Sequence, residues 1–120
     1  MSAVNVVILL LYGLGMSVGQ VMFKIAADRA KARAAGGFLE PLVTDGYFLA
    51  AVALYGALTI LWVWILTSVP LSRAYPFAVL AFVFTPVFAV VFFNEAVNVW
   101  YFVGMALILS GLAILVWKTI

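Results

Sequence analysis

Four long apolar stretches dominate this 120-residue chain and limit what it can fold into. They cover residues 3–25, 47–69, 75–93 and 97–117. A helix needs about 20 mostly apolar residues to cross the hydrocarbon core of a bilayer. Strands of a membrane barrel instead alternate apolar and polar residues over about 10 positions, and these stretches are apolar on every side. The sequence therefore predicts an all-α integral membrane protein with four transmembrane helices in one domain, 1–120.

The composition excludes several functional classes. Charged residues make up 8% of the chain, whereas a soluble domain carries about 25%. The absence of cysteine and histidine removes disulfides, thiol nucleophiles and the usual zinc ligands. Acid–base chemistry would have to come from Glu95, Asp28 or tyrosines alone. We therefore predict no catalytic residue, metal, cofactor or enzyme activity, and a net charge of +2 gives no reason to expect a nucleic-acid partner.

The longest polar segment, 26–46, lies between the first two stretches and holds most of the charged side chains. Its first part, 26–35, is rich in alanine, which predicts that the first helix continues past the membrane until Gly36 and Gly37 end it. Residues 38–43 are predicted to form a short turn of helix at the interface. The other connections are short, which predicts antiparallel neighbouring helices.

Tyr12, Met16, Gln20 and Lys24 recur every four positions in the first stretch, and all except Met16 carry polar groups. At this spacing they share one face of a helix. Polar groups inside a membrane are costly, so they indicate a functional site. For Lys24 the alternative is that its long side chain reaches back to the interface from a helix end.

Lys24 and Arg73 are the cations expected nearest the membrane core, and no acid lies deep within any stretch. This balance favours an anionic group such as a phosphate, although Arg73 alone could be an ordinary interfacial arginine. Glu95, after the third stretch, is expected either to cap the next helix or to contact a substrate. The predicted substrate-binding residues are Lys24, Arg73, Gln20, Tyr12, Tyr75 and Glu95.

Two pairs of glycines are spaced for close helix packing. Gly15 and Gly19 are expected to pack within the chain. Gly104 and Gly111, in the last stretch, are expected to form a contact between subunits because four helices enclose little volume.

Two further residues predict local features of the bundle. Pro86, after Thr85, predicts a kink in the third helix. Trp62 is predicted to line a cavity beside Tyr55 and Thr59, because the spacing of these three residues places them on one face of a helix.

Four motifs in the second half of the chain resemble the drug/metabolite transporter superfamily. They are Pro70-Leu71-Ser72-Arg73-Ala74-Tyr75-Pro76, Thr85-Pro86, Asn94-Glu95 and Gly104-Met105-Ala106-Leu107-Ile108-Leu109-Ser110-Gly111. Four helices in so short a chain resemble the branch that contains the small multidrug resistance exporters and the aminoarabinose-phosphoundecaprenol flippase subunits. The resemblance implies a small multidrug-resistance-like bundle.

Two departures distinguish between these subfamilies. The exporters carry a glutamate eight residues before a lysine, where this chain has Met16 before Lys24. They also carry a tryptophan three residues after the tyrosine that matches Tyr75, where this chain has Ala78. By contrast, residues 17–24 resemble the Ser-Val-Ala-Gly-Gln...Lys segment of the flippase subunits. The resemblance thus implies an anionic, lipid-linked substrate, in agreement with the charge argument.

The resulting prediction is a flippase subunit in the bacterial inner membrane. It would move a polyprenyl phosphate, with or without a sugar, as a homodimer (antiparallel or not) or as a heterodimer with a related small subunit. The alternatives are an exporter of small solutes or drugs, and a membrane partner that does not itself transport.

Overall fold

The computed structural model describes residues 2–33 and 36–117, and within these ranges the chain is helical, without strands. The helices are α1 (Ala3–Ala32), α2 (Leu39–Val43), α3 (Gly46–Leu66), α4 (Leu71–Ala78), α5 (Ala81–Phe93) and α6 (Val99–Val116). Four segments of the described chain are long and apolar enough to cross a membrane: α1, α3, α4 with α5, and α6. The prediction of an all-α protein with four transmembrane segments is confirmed, and the protein is a multi-pass membrane protein.

The closest packing in the bundle joins α1 to α3. A Cβ added at Gly15 would lie 3.1 Å from Leu58 Cδ2, and one added at Gly19 would overlap the ring of Tyr55. Contact positions fall along α3 as they rise along α1, so the two helices are antiparallel. Because small residues let helix backbones approach in a membrane, Gly15 and Gly19 serve packing within the chain, as expected.

Helix α1 continues beyond residue 25, as its alanine-rich continuation predicted, and ends at Ala32. It therefore stops before the expected glycines. The backbone N–H of Arg33 bonds to the carbonyls of Arg29 and Ala30, which closes the last turn. Gly37 has a φ of 151°, a conformation that favours glycine, so it serves the turn into α2. The short helix expected at 38–43 is present as α2.

A buried carboxylate joins the end of α1 to the start of α3. Asp45 caps α3 by accepting the backbone N–H of Tyr47 at 2.9 Å. Its Oδ2 also accepts Arg29 Nε at 2.7 Å and Arg33 Nη2 at 3.1 Å. The hydrogen bond from Arg29 is the main reason that the pKa of Asp45 lies below its ordinary value of 3.8, against the opposing effect of burial.

Stability is therefore expected to fall in acid. Asp45 binds a proton less readily in the folded chain than in the unfolded chain, so its contribution is complete above the unfolded pKa. That contribution is lost as pH falls through the lower, folded pKa. We expect the melting temperature in detergent to decrease as pH is lowered through 4 towards 2. Asp45→Asn should melt lower at pH 7 and show a flatter acid limb, whereas Glu95→Gln should keep the wild-type profile.

The second transmembrane helix ends earlier, and the third begins earlier, than the apolar stretches suggested. The N–H groups of Thr67 and Ser68 bond to carbonyls three residues back, which tightens and ends α3 after Leu66. Pro70 then precedes α4, and its carbonyl accepts the N–H groups of Arg73 and Ala74. Arg73 and Tyr75 consequently lie within a helix.

The third segment is interrupted at residues 79–80, about two turns before the kink that Pro86 was expected to cause. Pro86 itself remains inside α5. At the interruption, Val83 N–H bonds to Leu80 O, only three residues back, at 2.9 Å. Gly13 of α1 faces this point, where an added Cβ would lie 3.7 Å from both Leu80 Cβ and Phe77 O. The break therefore coincides with a close approach of α1 to the backbone of the third segment.

Helix α6 packs mainly against α4 and buries only Leu112. A Cβ added at Gly104 or Gly111 would meet no atom within 4 Å. These two glycines thus have no packing role among the described residues, and the subunit contact expected of them stays a prediction.

Candidate substrate-binding site

The bundle has two ends that differ in their charged residues. At one end, Leu9 of α1 packs in a buried cluster with Val69 and Ala74, next to Arg73. We call this the Arg73 end. At the other end, α1 passes Lys24 and reaches the Asp45 network. We call this the Lys24 end.

The structure separates the two cations that were expected to hold one phosphate together. Tyr12 reaches the neighbourhood of Arg73 through Trp62 and Tyr75, as described below. Lys24 lies 12 residues further along the same helix, roughly 18 Å at 1.5 Å per residue. Lys24 and Arg73 of one chain therefore lie towards opposite ends of the bundle, and a phosphate held by both cations stays a prediction for a site formed by two chains.

The two cations also differ in their partners. Lys24 Nζ lies 3.2 Å from Asp28 Oδ1, and both side chains are about half exposed. This pairing directs Lys24 towards the polar side of the interface. It agrees with the alternative prediction that Lys24 reaches the interface from the end of a helix. Arg73 is exposed and makes no ion pair or side-chain hydrogen bond within residues 2–33 and 36–117. Its guanidinium therefore has its full set of donors for a ligand.

Towards the Lys24 end, α1 and α3 are joined by a chain of polar groups. Gln20 Nε2 donates to Tyr55 OH at 2.7 Å, and that hydroxyl donates to Met16 O at 2.9 Å. The ring of Tyr55 stacks on Phe23 at a centroid distance of 5.1 Å and lies over Gly19. These contacts together hold Tyr55 in one orientation beside Gln20.

Towards the Arg73 end, three aromatic side chains extend the contact between α1 and α3. Tyr12 stacks on Trp62 at 5.0 Å, and Tyr75 meets Trp62 edge-on at 6.3 Å. The structure therefore brings the predicted residues Tyr12 and Tyr75 together through Trp62. We call the set formed by Tyr12, Gln20, Tyr55, Trp62 and Tyr75 the polar seam; it follows α1 from the Arg73 end to the Lys24 end. Thr59 is not part of it, because its hydroxyl bonds to Tyr55 O in its own helix.

A second polar connection, which the sequence reasoning missed, joins α1 to α5. Thr85 Oγ1 donates to Ser17 Oγ at 3.1 Å, and Ser17 in turn donates to Gly13 O at 3.1 Å. Ser17 is fully buried. The sequence does show a hydroxyl residue in each of two apolar helices. Their pairing, however, depends on a contact between these helices that the sequence does not specify.

An open groove of about 340 Å³ lies between α1, α5 and α6. It is lined by Gln20, Ala81, Phe82, Thr85, Pro86 and Tyr101. Gln20 therefore belongs both to the polar seam and to this groove. Sequence reasoning did not single out Tyr101, since an aromatic residue near a helix start is ordinary at a membrane interface.

Glu95 does not cap the following helix. The cap of α6 is Asn98, whose side chain accepts Tyr101 N–H at 3.0 Å. Asn94 adopts a left-handed conformation with a φ of 52°, which ends α5 and leaves Glu95 in an exposed connection. Within the described residues Glu95 makes no side-chain hydrogen bond or ion pair with the polar seam. These residues contain no cluster of three or more metal-ligating His, Cys, Asp or Glu side chains.

Comparison with known proteins gives a partial match. A protein of Escherichia coli O81 (strain ED1a), described as "Probable 4-amino-4-deoxy-L-arabinose-phosphoundecaprenol flippase subunit ArnE", is 37% identical over 65 residues, or 54% of this chain and 59% of that protein. A protein of the same description from Enterobacter sp. (strain 638) is 33% identical over 70 residues, or 58% of this chain and 65% of that protein. The similarity is to flippase subunits.

The aligned part covers about three fifths of the length of these curated relatives. No family model matches the chain, and no solved structure matches it.

Proposed function

We propose that this chain is a subunit of a flippase that moves an anionic lipid, a polyprenyl phosphate with a polar headgroup, across the bacterial inner membrane. The observation that carries the proposal is the polar seam, which crosses the apolar bundle between a cation at each end. The ArnE descriptions of the relatives support the same substrate class and a transporter component in place of an enzyme. Membership of the drug/metabolite transporter superfamily is part of this proposal.

The arrangement suits a phosphate that must pass from one leaflet to the other. Arg73 offers a planar fork of donors that matches phosphate oxygens, and Lys24 offers a compact point charge. Because the two cations lie at opposite ends of α1, each can receive the phosphate from one leaflet. Between them the polar seam supplies hydroxyl, amide and indole groups where lipid offers none.

The second subunit of this proposal would pack on α6. Gly104 and Gly111 leave its surface open for the close approach of another helix. In an antiparallel pair, Lys24 of one copy would lie at the same membrane face as Arg73 of the other. A related small subunit inserted in the opposite direction would have the same effect.

Drug export is the weaker reading. Proton-coupled export needs a titratable group at the substrate site, and the polar seam contains no carboxylate. Glu95 lies in an exposed connection after α5. The reading as a membrane partner without transport predicts instead that Lys24 and Arg73 tolerate neutral substitution.

Binding of undecaprenyl phosphate in detergent, measured by native mass spectrometry, tests the proposal. The wild type is expected to bind it in preference to a zwitterionic phospholipid. Loss of a charge-assisted hydrogen bond costs about 1.5–3 kcal/mol, so Lys24→Ala and Arg73→Ala should each weaken binding at their own end by roughly tenfold or more. The double variant should lose the preference entirely.

Lys31→Ala is the matched control, because it removes the same charge from an exposed position of α1 away from the polar seam. Its binding should equal that of the wild type. Equal binding of both lipids, unchanged in every variant, would refute the phosphate sites and favour the partner reading.

A further inference from the structure

The groove between α1, α5 and α6 carries polar groups on helices that are otherwise apolar. Three of its six lining residues, Gln20, Thr85 and Tyr101, have hydrogen-bonding side chains. The other three are apolar. All six belong to helices that are long and apolar enough to span the membrane.

The hydrogen bonds of the described residues leave part of this polar capacity unused. Gln20 gives one amide N–H to Tyr55, which leaves its second N–H and its carbonyl oxygen. Thr85 gives its proton to Ser17, so its oxygen can still accept. The Tyr101 hydroxyl makes no hydrogen bond with another described residue. Such groups are costly when they face lipid tails, so they fit a ligand that both donates and accepts.

The groove has no countercharge for a cationic ligand. Asp28 is paired with Lys24, and Asp45 with Arg29 and Arg33. The remaining acids, Glu40 in α2 and Glu95 after α5, do not line the groove. An ammonium group placed there would be desolvated without a partner, which is unfavourable in a membrane.

We infer that this groove is a transit site for the headgroup of the lipid substrate, and that it selects an uncharged, hydroxyl-bearing headgroup such as a neutral sugar over an amino sugar. The inference rests on the proposed function and specifies its substrate. Gln20 precedes Lys24 by four residues on the same helix, an axial separation of roughly 6 Å. A phosphate at Lys24 therefore leaves its headgroup within reach of the groove.

Three polyprenyl phosphates distinguish the possibilities in native mass spectrometry: one without a headgroup, one with a neutral hexose and one with a hexosamine bearing a free amine. We expect the full-length wild type to bind the neutral hexose form at least about fivefold more tightly than the hexosamine form. Thr85→Val should remove that preference and leave binding of the bare lipid phosphate unchanged. Gln20→Leu should remove the preference as well. Ser110→Ala, which removes a hydroxyl bonded only within α6, is the matched control.

Gln20→Glu tests the charge argument by gain of function. A carboxylate in the groove should raise binding of the hexosamine lipid above that of the neutral form. Preference of the wild type for the hexosamine lipid, or an unchanged hexose preference in both Gln20→Leu and Thr85→Val, would overturn the inference while the proposed function stands. If none of the three phosphates binds better than a zwitterionic lipid, the proposed function fails together with the inference.

Discussion

Replacing Arg73 with alanine is expected to raise the half-saturating concentration of a lipid phosphate supplied from the Arg73 end by at least about tenfold, because about 1.5–3 kcal/mol of charge-assisted hydrogen bonding is lost. Lys24→Ala should have the corresponding effect for lipid supplied from the Lys24 end. The physical reason is that, in chains inserted in one direction, the two cations lie at opposite ends of α1 and cannot substitute for one another. The measurement is uptake of a labelled polyprenyl phosphate, added to one leaflet of proteoliposomes.

The orientation of the protein has to be known in this experiment. The chain contains no cysteine, so Lys31→Cys provides a single thiol near the Lys24 end for a membrane-impermeant reagent. Passive transfer cannot change the equilibrium between leaflets, so kcat/KM in the two directions must fall together even though only one half-saturating concentration rises. In an antiparallel pair, each face carries Lys24 of one copy and Arg73 of the other, so the increase should then be equal from both sides. An unchanged half-saturating concentration on both sides in either single variant would contradict the assignment of a phosphate to that cation.

Gly19→Ala is expected to destabilise the protein by about 1–3 kcal/mol, the usual effect of overpacking a filled site. The added methyl would overlap the ring of Tyr55. That ring is stacked on Phe23 and bonded to Gln20 and Met16, so it cannot move aside without breaking those contacts. Unfolding in a denaturing detergent titration would give the change in free energy.

Other glycines of the same chain provide the controls for this prediction. Gly56→Ala places its methyl in open space, and Gly13→Ala places it at an ordinary contact distance of 3.7 Å. Both should change the free energy of unfolding by much less. If Gly19→Ala unfolds like these two variants, Tyr55 is held less firmly than its contacts indicate.

Much of the fold follows from the apolar stretches because their lengths match a bilayer and their periodicity excludes strands. The extension of α1 and the short helix α2 were also predictable, since alanine favours helix and glycine favours turns. Helix ends were less accurate. Thr67 and Ser68 end α3 through local hydrogen bonds within a stretch that composition treats as uniformly apolar.

The candidate site was only half predictable. Periodicity placed Tyr12 and Gln20 on one face of α1, but it could not show that α3 covers that face through Tyr55 and Trp62. The separation of Lys24 and Arg73 within one chain could not be predicted, for a simple reason. Charge balance counts cations without regard to chain direction, whereas α1 ends where α3 begins and α4 starts at the opposite end.

The separation of the two cations also has an energetic consequence. A ligand that binds two states equally well shifts neither, however tightly it is held. With one cationic anchor for phosphate at each end of α1, the substrate is stabilised to a similar extent on arrival and on departure. The subunit would then equilibrate the substrate concentration between the two leaflets. The direction of net transport would be set by the reaction that supplies the lipid on one face or consumes it on the other.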